Sequence, residues 1–234
     1  MKTLAKQLKW QFILLQKNNI ISISIIVTLI YGLLLFFLRS STYIDKVLVS
    51  LILNDPTVIG YFFIALAIYT EMKHQILPAI FVTPVKTHHY ILSKTLALSV
   101  IGLFCSLGLV ISIKGFAFNF VAFSIGALGI SILAVLLGIM VLAYSDDFLK
   151  FALLSFPVFL PIVNLPLLHY LNGIDLGFII QLFPIQGGLN LIADSLNPNI
   201  NLSWVSILSL LIWIPIFYVG SYRFFTSKII HQQS

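Results

Sequence analysis

Charge is the scarcest property of this sequence. Only 9% of its residues are Asp, Glu, Lys or Arg, and just seven are acidic, against 60% that are hydrophobic. That balance lies far outside soluble-domain composition and excludes a free-standing globule with a solvated surface. Cysteine is nearly absent. With Cys105 alone, no internal disulfide and no cysteine metal cluster can form, and this residue reads as a small apolar group in a packed helix. No His-Glu-x-x-His motif occurs among the five histidines, His74, His88, His89, His169 and His231. Adjacent His88 and His89 point in different directions on a helix and make a poor metal site. Asp146 and Asp147 are adjacent too, so they read as a solvated helix cap between two spans rather than as paired catalytic carboxylates. No Gly-Lys dipeptide exists, so there is no phosphate-binding loop for ATP. The chain is expected to be no enzyme and to need no cofactor or metal. It also lacks linkers, low-complexity tracts and internal repeats, which leaves one domain over residues 1–234.

Long apolar runs are what the sequence does have. Six of them, at residues 20–38, 56–74, 95–113, 116–143, 151–171 and 202–222, are suited to crossing ~30 Å of hydrocarbon, which takes ~20 helical residues. The fold class is therefore an all-α integral membrane protein with six transmembrane helices. With the N-terminus inside, Lys2, Lys6, Lys9, Lys17, Lys73, Lys86, Lys94, Lys150, Arg223 and Lys228 are cytoplasmic, and only Arg39, Lys46 and Lys114 are external. Ten against three in short loops is the positive-inside pattern and puts both termini in the cytoplasm. The net charge of +6 then faces anionic lipid headgroups rather than nucleic acid. Arg39-Ser40-Ser41 offers no small-x-small cleavage site, so the N-terminal stretch is expected to be retained.

Residues 1–19 read as an amphipathic surface helix. Its lysines share an arc of about 80° at 100° per residue, opposite Leu4, Ala5, Leu8, Phe12 and Leu15, which are expected to enter the headgroup boundary. Asp55-Pro56 reads as an N-cap and first helical residue starting the second span. That leaves only 15 residues to Thr70, so the helix must continue past Glu71, which places this acid at the interface. Segment 47–53 then becomes an external surface helix or a lead-in. In the fifth span Pro157, Pro161 and Pro166, with Asn164 between them, delete backbone donors and are expected to kink or break the helix, forming a cavity wall or hinge. Residues 172–201 read as an external re-entrant hairpin with a short helix over 189–196.

No ionisable residue falls in the central part of any span on this reading, which argues against a proton- or sodium-coupled carrier. What remains is segment 71–94, too polar to span and too apolar for a solvated loop. Ile76, Leu77, Ile80 and Phe81 make one apolar face of a short helix, a docking surface for a partner. Thr83-Pro84 ends that helix, and Thr87 is placed to cap the next one.

At this segment the chain resembles the permease subunits of ABC-2 type transporters. Their acidic residue closes the second span, followed by a short helix, a Thr-Pro-Val/Leu and a Tyr-x-x-Ser-Lys opening the third. Glu71, Thr83, Pro84, Val85, Tyr90, Ser93 and Lys94 match in place, and Asp55-Pro56 gives the flavour of the fluoroquinolone-export permease group. Pro78 departs from the Gly or Thr usual in the short helix. The resemblance implies an exporter of two permease chains, identical or paralogous, and two separate ATPase subunits. It also implies that segment 71–94, including Lys86, seats in the ATPase, and that spans two and five wall a cavity for lipophilic or amphipathic cargo. The competing readings are an ATP-independent carrier or channel, and a membrane scaffold subunit.

Overall fold

The computed structural model describes residues 2–81, 86–197 and 203–230, and among these every regular element is helical. In chain order they are α1 (Lys2–Lys17), α2 (Ile20–Phe37), α3 (Ile44–Lys73), α4 (Ile76–Phe81), α5 (Thr87–Lys114) and α6 (Phe120–Leu142). Then come α7 (Phe148–Phe159), a π turn (Leu160–Asn164), α8 (Leu165–Tyr170), a 3-10 turn (Gly177–Leu182), α9 (Gln186–Ser195) and α10 (Trp204–Phe224), which runs into a second π turn (Phe225–Ile230). Among the described residues, six helices are long and apolar enough to cross a membrane: α2, α3, α5, α6, α7 joined to α8, and α10 with its extension.

The six are not equivalent. Of the most apolar stretch of α6, 78% is buried, whereas the figure for α2 is 17%. α3, α5 and α6 form the centre, and α2, α7–α8 and α10 expose rows of leucine, isoleucine and phenylalanine outward. Backbones in the centre approach closely. A Cβ on Gly138 of α6 would lie 2.7 Å from the Tyr61 carbonyl oxygen of α3, so only glycine permits that crossing.

Side-chain contacts fix which helix ends meet. Tyr69 of α3 bonds Ser145 between α6 and α7 at 2.7 Å, Tyr144 packs on Phe224 of α10, and the Tyr90 ring of α5 packs on Phe225. Through Leu15, α1 packs on the core cluster that holds Tyr90 and Phe225, so α1 and the end of α10 share one end of the bundle, the terminal end. At the opposite end Lys114 pairs with Asp45 at 2.8 Å, and the Asn119 amide donates to the Ser195 carbonyl at 2.8 Å.

The second span differs from its expected form. Asp55-Pro56 starts nothing; the helix runs unbroken from Ile44 to Lys73. Leu48, Val49, Ile52 and Leu53 are all fully buried, so segment 47–53 is a packed lead-in rather than a surface helix. Burial in an apolar surrounding holds the backbone helical because no water can satisfy freed carbonyls. Thr57 Oγ1 and Asn54 Nδ2 add donors around the proline, to Leu53 O at 2.6 Å and Ser50 O at 2.9 Å. One consequence is that Asp55, 3% exposed, sits ten residues inside the helix, ~15 Å from Asp45 along its axis. The expected second span began after Asp55; with the helix starting at Ile44, Asp55 is instead a buried carboxylate inside a helix long enough to cross a membrane.

α1 also departs from expectation. Leu15 is buried in the central core, with Leu8 and Phe12 packed against it, so the face expected to enter lipid docks on the bundle. Trp10 and Ile13 face outward instead, 51% and 39% exposed. In the stretch after α8, the helix begins at Gln186, three residues before the expected start, and takes in Gly187 and Gly188. α9 wedges between α6 and α10. A Cβ on Gly126 would come within 2.8 Å of Gly188 O, and one on Gly187 within 2.6 Å of Ser206 O.

Candidate functional site

α3 ends at the terminal end of the bundle with a sharp reversal. Gln75 takes a left-handed conformation, φ 56°, and α4 starts at the next residue. α5 begins at Thr87 after an extended Lys86, and the expected Thr87 cap is absent: Thr87 is the first helical residue and no side-chain capping bond forms.

Beneath α4 lies a polar triad closed off from solvent. Glu71 is 2% exposed and Lys94 3%. Lys94 Nζ lies 2.7 Å from Glu71 Oε1, and the Tyr90 hydroxyl donates to Oε2 at 2.6 Å. Both carboxylate oxygens are thus engaged, one by a full charge. Lys94 Nζ also stands 5.1 Å over the Tyr90 ring, whose other surroundings include Phe225 with ring centroids 5.6 Å apart. A buried ion pair costs desolvation, and it holds only when geometry and extra hydrogen bonds compensate. Here they do. The triad clamps the last turn of α3 to the first turns of α5 and carries α10's tail with it.

The short helix is less free than its apolar pattern predicted. Leu77 is fully buried in the same core cluster as Tyr90 and Ile91, and Ile80 packs against that cluster, so these two are anchors rather than a docking face. The reason is geometric: a six-residue helix folded back against the bundle has one side to bury and one to offer. Ile76 is half-buried, and Lys73, His74, Gln75 and Lys86 are exposed. Thr83, Pro84 and Val85 lie outside the described residues, as do the side chains of Pro78 and Phe81.

The fifth span holds its path through three prolines by widening rather than breaking. Pro161 falls in the π turn and Pro166 in the first turn of α8. Pro157 and Pro161 face outward and Pro166 is buried, so none of the three lines the nearby cavity. Asn164 does. With Phe62 of α3 and Ser155, Phe156, Phe159 and Leu160, it borders an apolar groove of about 360 Å³ between α3 and α7. Asp147 caps α7, accepting from the Lys150 amide at 2.7 Å.

Two groups escape a reading of the sequence. Asp55 carries the signature of a helix start, and Phe225, fully buried against Tyr90, lies past the last expected span. The apolar run Val47, Leu48, Val49, Leu51, Ile52 and Leu53 just ahead of the expected second span is the available signal for the first.

The sequence model of the fluoroquinolones export permease protein family matches residues 2–233, nearly the whole chain. The chain belongs to that family. This permease is thus an integral membrane transport protein, and the resemblance read from Glu71, Tyr90, Ser93 and Lys94 stands on three residues that the fold brings into one buried cluster. No curated protein sequence matches the permease.

Proposed function

We propose that the permease is the membrane-spanning subunit of an ATP-driven ABC exporter in a bacterial cell membrane. In this reading it works as a pair of permease chains, identical or paralogous, with two separate ATPase subunits. On the same reading the terminal end faces the cytoplasm, which the ten-to-three distribution of basic residues supports. The observation that carries the reading is the Glu71–Tyr90–Lys94 clamp directly beneath a short helix. A helix anchored by a buried Leu77 and backed by a salt-bridged junction moves as one body with α3 and α5. Force from an ATPase pressing on α4 is then delivered to two central spans instead of being lost in a loose loop. The groove between α3 and α7 suits a lipophilic or amphipathic cargo, with Asn164 and Ser155 as its polar contacts and a second permease chain as its missing wall.

The test is association with the cognate ATPase. Ile76 is half-buried at the outward side of α4, and Ile76→Asp places a carboxylate in a dry interface at about 1–3 kcal/mol or more. Co-purified ATPase is expected to fall about tenfold or further, since ~1.4 kcal/mol is one decade. Lys73→Ala, on the wet rim, serves as the mild control, and size-exclusion monodispersity checks the bundle. Unchanged association and unchanged stimulated ATP turnover in Ile76→Asp would remove α4 as the coupling element.

A further inference from the structure

A second groove, about 340 Å³, runs between α5, α6 and α10 on the terminal half of the bundle, remote from the α3–α7 groove. Leu92 and Leu96, Ile132 and Leu136, and Ile214 and Val219 form its walls. One polar feature sets it apart from a plain seam between helices. At its mouth His88 and Tyr218 are hydrogen-bonded, ring to phenol, with the rings edge-on at 5.5 Å. The remaining wall is apolar, and the Thr95 hydroxyl is sealed off from the groove.

Depth and charge narrow the choice. His88 precedes Lys94 by six residues, ~9 Å toward the terminal surface, whereas Leu96 lies two residues past it, deeper in the groove. Arg223 stands one turn beyond Val219 on the same face of α10, is exposed, and has no acidic partner among the described residues. Lys86 is exposed two residues before His88, and no acidic residue lines the groove. From surface to interior the order is cation, hydrogen-bonding pair, apolar slot.

We propose that this groove binds one anionic glycerophospholipid of the surrounding leaflet. Its phosphate meets Arg223 and the His88–Tyr218 pair, and one acyl chain lies along Leu96, Ile132 and Ile214. The inference does not depend on ATP coupling.

Native mass spectrometry of the full-length permease in mild detergent tests it, with phosphatidylglycerol and phosphatidylcholine of identical chains as the probes. One phosphatidylglycerol is expected to be retained, favoured over phosphatidylcholine roughly fivefold for each basic residue engaged. Arg223→Gln should bring the two lipids to parity, and Leu96→Trp, which fills the slot, should lower both. Equal binding to the wild type would overturn the proposal. So would lipid retention unchanged in Leu96→Trp, displacement by chainless glycerol phosphate, or a shift in the monomer–dimer ratio in Leu96→Trp without lipid loss. The last result would make the groove an interface between copies.

Discussion

Two carboxylates on the same helix, Glu71 and Asp55, are equally hidden and differently provided for. Glu71 is 2% exposed and has a lysine at 2.7 Å and a tyrosine hydroxyl at 2.6 Å. Asp55 is 3% exposed, and among the described residues its one hydrogen-bond contact is Thr28 Oγ1 at 3.4 Å, a hydroxyl that also bonds Ser24 O at 2.8 Å. The single threonine proton serves that shorter bond, so no cation among the described residues offsets a charge on Asp55. The difference shows that burial alone does not define a polar residue's part in a membrane bundle. Glu71 ties two helices together through charge. Asp55 is a short polar side chain accommodated between α2, α3 and α5, carried because the helix around it is held by packing.

Breaking the Glu71 side should have the largest effect. Lys94→Met strands a buried carboxylate, and loss of one partner of such a pair costs about 3–5 kcal/mol. Detergent-solubilised Lys94→Met is expected to melt well below the wild type, and Glu71→Gln added to it should recover part of the loss. A single variant as stable as the parent would show that the triad is no clamp. Asp55→Asn keeps the shape and removes the ionisable group, so its cost should stay under about 1 kcal/mol. A melting shift as large as that of Lys94→Met would erase the contrast between the two acids. The smallest effect is expected at the exposed i,i+4 pair Lys150–Asp146, at 2.6 Å but with side chains 49% and 85% exposed. Lys150→Ala should cost about 0.3–0.5 kcal/mol and lose even that in high salt.

Much of the candidate site is legible in the order of residues along the chain. Glu71, Tyr90 and Lys94 are 19 and 23 residues apart in sequence, and their arrangement around a short helix between two spans carries the family resemblance. What escapes is which side of each helix faces inward. Ile76, Leu77, Ile80 and Phe81 share a helix face, but the pattern cannot say whether that face meets a partner or the chain's own core. Leu77, fully buried, answers it for the core. Likewise the prolines of the fifth span announce an irregular helix, yet a π turn and a break leave the same trace in sequence. Asp55-Pro56 misleads because a capping signal is local, whereas the burial of Leu48, Ile52 and Leu53 that overrides it is not.

The sequence by itself determined the six helices long and apolar enough to cross a membrane. Those follow from transfer of apolar side chains and from backbone groups that must bond internally in lipid, both properties of a segment taken alone. Only the tertiary structure decided that α6 is enclosed while α2 faces outward, that α9 slots against Gly126, and that among the described residues Glu71 has a cation while Asp55 does not. A helix apolar on every side carries no mark of its inner face. That choice belongs to close packing between helices, where a missing Cβ or one lysine placed across a junction settles the arrangement.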